Sequence, residues 1–89
     1  MKVLAVVVTF NRCQLLKRCL SGLAAQTAKP DSILVVNNGS TDGTEEMLIN
    51  ESIGFITQEN VGSAGGWHTG IQFAVNNGFD AVWLMDDDG

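Results

Sequence analysis

Apolar and polar positions follow two rhythms along this chain. Val3–Phe10 is a nearly continuous apolar run rich in valine, as expected of a strand covered on both faces. Leu15, Leu16, Cys19, Leu20 and Leu23 then fall at helical spacing. Asn11, with Gln14 three residues on, has the form of a capping box for that helix. Lys29-Pro30-Asp31 breaks the pattern. Ile33–Val36 reads as a second buried strand ending in the turn signal Asn37-Asn38-Gly39. Ser40 or Asp42 is placed to cap a short helix carrying Met47 and Leu48. Ile53–Thr57 is a third, weaker strand. Asn60–Gly66 reads as a glycine-rich loop before a helix that turns Trp67, Ile71, Ala74 and Val75 inward and closes at Asn77-Gly78. Ala81–Met85 is a fourth strand.

Strands alternating with helices across short connections predict an α/β fold. Right-handed crossovers then give a Rossmann-like, three-layer open parallel sheet. The expected strand order is 3-2-1-4, which puts the switch point between strands 1 and 4. Trp67 and Trp83 are expected in the core. Strand 4 would lie at an edge, and an open apolar edge tends to pair with another chain, so self-association there is the expectation.

Composition narrows the picture without changing it. The chain has 89 residues, 45% of them hydrophobic and 17% charged, which suits one small domain spanning 1–89 and argues against disorder. All five basic residues precede Pro30 and all ten acidic residues follow it, for a net charge of −5. A nucleic-acid binder would carry a basic face along much of its fold, so no nucleic acid is expected. Cys13 and Cys19, six apart on a helix, point to different faces. Two unpaired thiols suit a reducing cytoplasm, which is the expected location.

Ligands of open parallel sheets sit beyond the carboxyl ends of the strands, at the switch point. Thr9 and Asn11 follow strand 1, Asn37 and Asn38 follow strand 2, and Asp86-Asp87-Asp88 follows strand 4. They are expected to converge on one crevice. Asp86 and Asp88, two apart on an extended segment, point the same way, and paired carboxylates repel unless a cation lies between them. Mg²⁺ or Mn²⁺, which favour oxygen ligands and are often shared with phosphates, fit there. Asn37–Asp42 offers amides and hydroxyls able to read a nucleobase edge, or is a plain turn with a helix cap. Gly62–Gly66 either cradles an anion at a helix start or lets chain pass close by. His68, a lone helical histidine, reads as structural, and Arg12 as part of a solvated face or as a reach toward phosphate.

These motifs together resemble glycosyltransferase family 2: Val7–Arg12, Val35–Thr44, Glu59–Gly62 with Ala64-Gly65-Gly66, and Trp83–Asp88. They stand in the family's order and cover nearly the whole chain, with the look of galactofuranosyl- and rhamnosyltransferase-type members. The resemblance implies the first half of a glycosyltransferase A-type fold, serving an inverting, metal-dependent transfer from a nucleoside-diphosphate sugar (UDP- or dTDP-linked) to a glycan or lipid-linked acceptor. It implies that Thr9, Phe10 and Asn11 border base and ribose. Asn37, where many members carry Asp, would meet the base with Asn38. Gly65, Gly66 and Asp87 would lie near the donor, and Asp86 and Asp88 would bind Mn²⁺ or Mg²⁺. The family's catalytic base falls beyond Gly89, so none is named, and its membrane-working members put the inner membrane face among the expected locations. Two other classes stay open on the residues alone: a Mg²⁺-binding receiver-like regulatory domain, and a non-catalytic nucleotide-binding module.

Overall fold

The computed structural model describes residues 1–60 and 62–87, with Ser63 and Asp86 described by their backbone. The elements run β1 (Val3–Thr9), α1 (Cys13–Ala25), β2 (Ser32–Asn37), α2 (Thr44–Asn50), β3 (Phe55–Thr57), α3 (Gly62–Asn76) and β4 (Ala81–Asp86). The four strands are parallel in the order β3-β2-β1-β4, as the alternating pattern predicts. β1 is buried at every residue because it has a strand on each side and helices above and below.

Strand parity divides its side chains between two cores. Ala5 and Val7 pack with Val35 against Leu16, Cys19, Leu20 and Leu23 of α1 and Met47 and Leu48 of α2. Leu4, Val6 and Val8 pack with Leu34 and Val36 against Ala74, with Trp67 and Phe73 of α3 partly buried beside them. Two carboxylates anchor the amino end of β1. Asp31, just before β2, accepts the Val3 N–H at 2.6 Å, and Asp80, just before β4, accepts the Lys2 N–H at 2.7 Å.

Several sequence expectations give way to packing. α3 begins at Gly62, so most of the expected glycine-rich loop is helix. Its inward face is the small-residue row Gly66, Gly70 and Ala74 at i, i+4, i+8, while Ile71 and Val75 are exposed. The rows differ because α3 lies nearly in contact with β1: a Cβ on Gly66 would come within 2.7 Å of Val8 Cγ1, and one on Gly70 would overlap Val6. Trp83 is 38% exposed and Leu84 43%, since β4 is the sheet edge among the described residues. The end of α3 follows expectation. Gly78 takes φ 74, and the Phe79 and Gly78 N–H groups donate to the Ala74 and Val75 carbonyls, a Schellman closure.

The expected capping box at α1 is absent. The N-cap is Arg12, which makes no side-chain cap bond. Asn11 instead takes φ 51 and turns to the β2–α2 loop, accepting the Thr41 N–H at 2.7 Å and donating its own N–H to Ser40 Oγ at 2.9 Å. The α1 cap comes from Asp42, whose Oδ2 accepts the Cys13 N–H at 3.2 Å. Its Oδ1 accepts the Thr44 N–H at 3.2 Å and the Thr44 hydroxyl. One carboxylate thus caps both helices of this face, at the positive ends of both dipoles.

Two predictions follow from these contacts. Adding a methyl to a packed site costs about 1–3 kcal/mol, more than the ~1 kcal/mol gained when Ala replaces Gly in a helix. Gly70→Ala should therefore lower the denaturant midpoint. Gly22→Ala in α1, where a Cβ meets nothing within 4 Å, should raise it. Equal shifts in both would contradict close contact between α3 and β1. The Thr44 hydroxyl, with the Cys13 and Thr44 N–H groups, holds the Asp42 carboxyl below its ordinary pKa against the opposing effect of burial. A depressed folded pKa gives stability that is present above the unfolded value, near 4, and lost as pH falls through the folded one. Asp42→Asn should thus melt below wild type at pH 7, with the gap narrowing below about pH 4. A constant gap in melting scans would refute this.

Candidate functional site

The strand register gathers the polar strand ends. Thr9 pairs with Asn37, Asn37 with Thr57, and Val8 with the backbone of Asp86. Beyond them lies a cleft of about 230 Å³ lined by Val8, Thr9, Phe10, Arg12, Asn38, Asn60, Gly62 and Asp87. It opens beside β1 at the point where the chain order reverses, where ligands of such sheets sit.

Asp87 closes one wall. It is 4% exposed, and both its oxygens are engaged: Thr9 Oγ1 donates to Oδ2 at 2.9 Å, and Arg12 Nη1 lies 3.4 Å from Oδ1. A buried carboxylate needs such partners, because desolvation without them costs more than a single pair returns. Arg12 is half exposed, and is the one cation among the described residues lining the cleft. Phe10, 44% exposed, offers a ring face at the same rim.

A chain of side-chain amides forms the opposite wall. Asn38 is buried. Its Nδ2 donates to Asn60 Oδ1 at 3.2 Å and to the Gly62 carbonyl at 3.0 Å, and its Oδ1 accepts from Gln58 Nε2 at 3.2 Å. Thr69 of α3 donates to Gln58 Oε1 at 2.8 Å. The end of β2, the segment after β3 and the start of α3 are thereby joined. Such fully satisfied networks hold their members in one arrangement.

The expected site residues separate into three groups. Thr9, Phe10, Asn38 and Asp87 meet at the cleft. Asn11, Asn37, Gly65 and Gly66 are not among its lining residues. Asn37 is fully buried; its Oδ1 accepts the Ser40 N–H at 3.2 Å, while its Nδ2 has no partner among the described residues. Gly66 packs on Val8, and the Gly65 carbonyl lies 3.1 Å from Thr69 Oγ1, the alternative acceptor for its one hydroxyl proton. Asp88 and the side chain of Asp86 lie outside the described residues, among which no group of three or more metal-ligating side chains comes together. Asn60 and Gln58 are additions to the site. They follow the end of β3, and the strand-end rule applied to that strand would have found them.

The chain has clear relatives. The model of the family described as "Glycosyl transferase family 2" matches residues 4–89. Galactofuranosyltransferase GlfT1 of Mycolicibacterium smegmatis is 37% identical over 90 residues, and that of Mycobacterium tuberculosis 41% over 92. Each match covers 98% of this chain and 30% of the relative, so the chain spans under a third of the length of these enzymes. Mannosyltransferase PcManGT from Pyrobaculum calidifontis, solved in complex with GDP-Man and Mn²⁺, shares the fold with a TM-score of 0.77 at 24% identity, over 98% of this chain and 27% of that one. With the family model matching nearly every residue, the chain belongs to glycosyl transferase family 2.

Proposed function

We propose that residues 1–89 form the donor- and metal-binding half of an inverting glycosyltransferase that uses a nucleoside-diphosphate sugar, UDP- or dTDP-linked, with a glycan or lipid-linked acceptor. The observation that carries this reading is the strand register. It sets Thr9 beside Asn37, and Val8 beside the backbone of Asp86, at the end of the sheet where the cleft lies. Thr9, Phe10 and Asn11 would border the base and ribose. Asn37 and Asn38 would underlie the base edge.

Asp87 is held by Thr9 and Arg12, while Asp86 and Asp88, two apart in sequence, would offer a divalent cation the oxygen ligands it favours. Bound there, Mn²⁺ or Mg²⁺ would supply Lewis-acid stabilisation of the departing diphosphate. Arg12 would share in neutralising that group from the cleft wall, and Gly65 and Gly66 would bring the start of α3 close to the donor. We assign no catalytic base among these residues.

Calorimetric titration with UDP, dTDP and GDP, each with Mn²⁺ and with EDTA, tests the reading. UDP or dTDP should bind at least about tenfold tighter with Mn²⁺, and the gain should vanish in Asp86→Ala and Asp88→Ala. Affinity indifferent to metal would overturn the assignment.

A further inference from the structure

The cleft-lining segment Phe10–Arg12 has little of its own to hold its shape. Asn11 sits in the left-handed region at φ 51. Arg12, the N-cap of α1, makes no side-chain cap bond, its guanidinium lying against Asp87 instead, and the first turn of the helix holds no acidic residue. The backbone here is fixed from about thirty residues further along the chain: by Ser40 Oγ and the Thr41 N–H on Asn11, and by Asp42 on the Cys13 N–H. Asp42 is fixed in turn by the N–H and hydroxyl of Thr44 at the start of α2. Its carboxylate therefore sets the start of α1 against the start of α2, and Phe10 and Arg12 follow, because only Phe10 and Asn11 lie between β1 and the N-cap Arg12. Asp42 itself is not part of the cleft lining.

We propose that Asp42 is a positioning residue for nucleoside-diphosphate binding, acting from outside the cleft by holding the Phe10–Arg12 loop in the shape the ligand meets. The proposal rests on the reading of the cleft as a donor-nucleotide site. A loop that spends one-tenth of its time in the competent shape weakens apparent affinity tenfold. Asp42→Asn, which keeps one acceptor oxygen, should lose less than Asp42→Ala, which keeps none.

The test combines two measurements on wild type, Asp42→Asn, Asp42→Ala and Asp80→Ala. The last removes an equivalent carboxylate–amide anchor at the opposite end of β1 and serves as a stability control. Amide hydrogen exchange without nucleotide should show faster exchange at Asn11 and Cys13 in Asp42→Ala, with Asp80→Ala unchanged there. UDP affinity with Mn²⁺ should fall about tenfold in Asp42→Ala, less in Asp42→Asn, and stay at the wild-type value in Asp80→Ala. Unaltered exchange at Asn11 and Cys13 overturns the proposal whether or not nucleotide binds. So does an affinity loss matched by Asp80→Ala. Altered exchange in a protein whose wild type ignores UDP would leave the tether standing and sink the donor-site reading instead.

Discussion

The placement of β1 between β2 and β4 is the constraint on which the rest of the structure depends. A parallel strand with neighbours on both sides and helices on both faces must be apolar along its length, and Val3–Val8 is. Only where the strand leaves the sheet, at Thr9, can a polar side chain stand at low cost, and there it meets the buried carboxylate of Asp87. The same register brings Asn37 and the end of β4 alongside. The site is thus a consequence of pairing: burying the strand interiors obliges the polar ends to share one rim.

Chain from distant positions completes that rim. α1 takes its cap from Asp42, and the segments after β2 and β3 are joined through Asn38, Gln58 and Asn60. Pairing the buried Asn38 amide in this way avoids an unpaired donor, which would cost about 1–3 kcal/mol. It also couples the loops, so that the shape of each depends on its neighbours. Close approach of α3 to β1 through Gly66 and Gly70 belongs to the same logic, since a bulkier helix face would lift the start of α3 away from Asn38.

Most of the architecture was legible in the sequence. Apolar runs marked the strands, Gly78 marked the end of α3, and the alternation of strands and helices led to the order 3-2-1-4. What was not legible depended on tertiary proximity. Asn11 and Gln14 have the spacing of a capping box, but the neighbouring Thr41 N–H and Ser40 hydroxyl draw Asn11 into another conformation. Ile71 and Val75 have the right spacing to face inward, yet the row Gly66, Gly70, Ala74 wins because it permits closer packing. Trp83 is apolar enough for a core, but it sits on an edge strand. Within the site, the strand-end rule found Thr9, Asn38 and Asp87 and passed over Asn60, because the rule was not carried to the short third strand. The receiver-like and non-catalytic classes that the residues left open are not favoured once the family is known.

A metal–nucleotide complex seated where the ends of β1, β2 and β4 share one rim would be seen in the paramagnetic broadening of backbone amide signals by Mn²⁺ in the presence of UDP. Strong broadening is expected at Thr9, Phe10, Asn38 and Asp87, and none at Lys2, Asp31 or Asp80 at the other end of the sheet. Broadening at the amino ends of the strands, or an even loss across the chain, would contradict that seating.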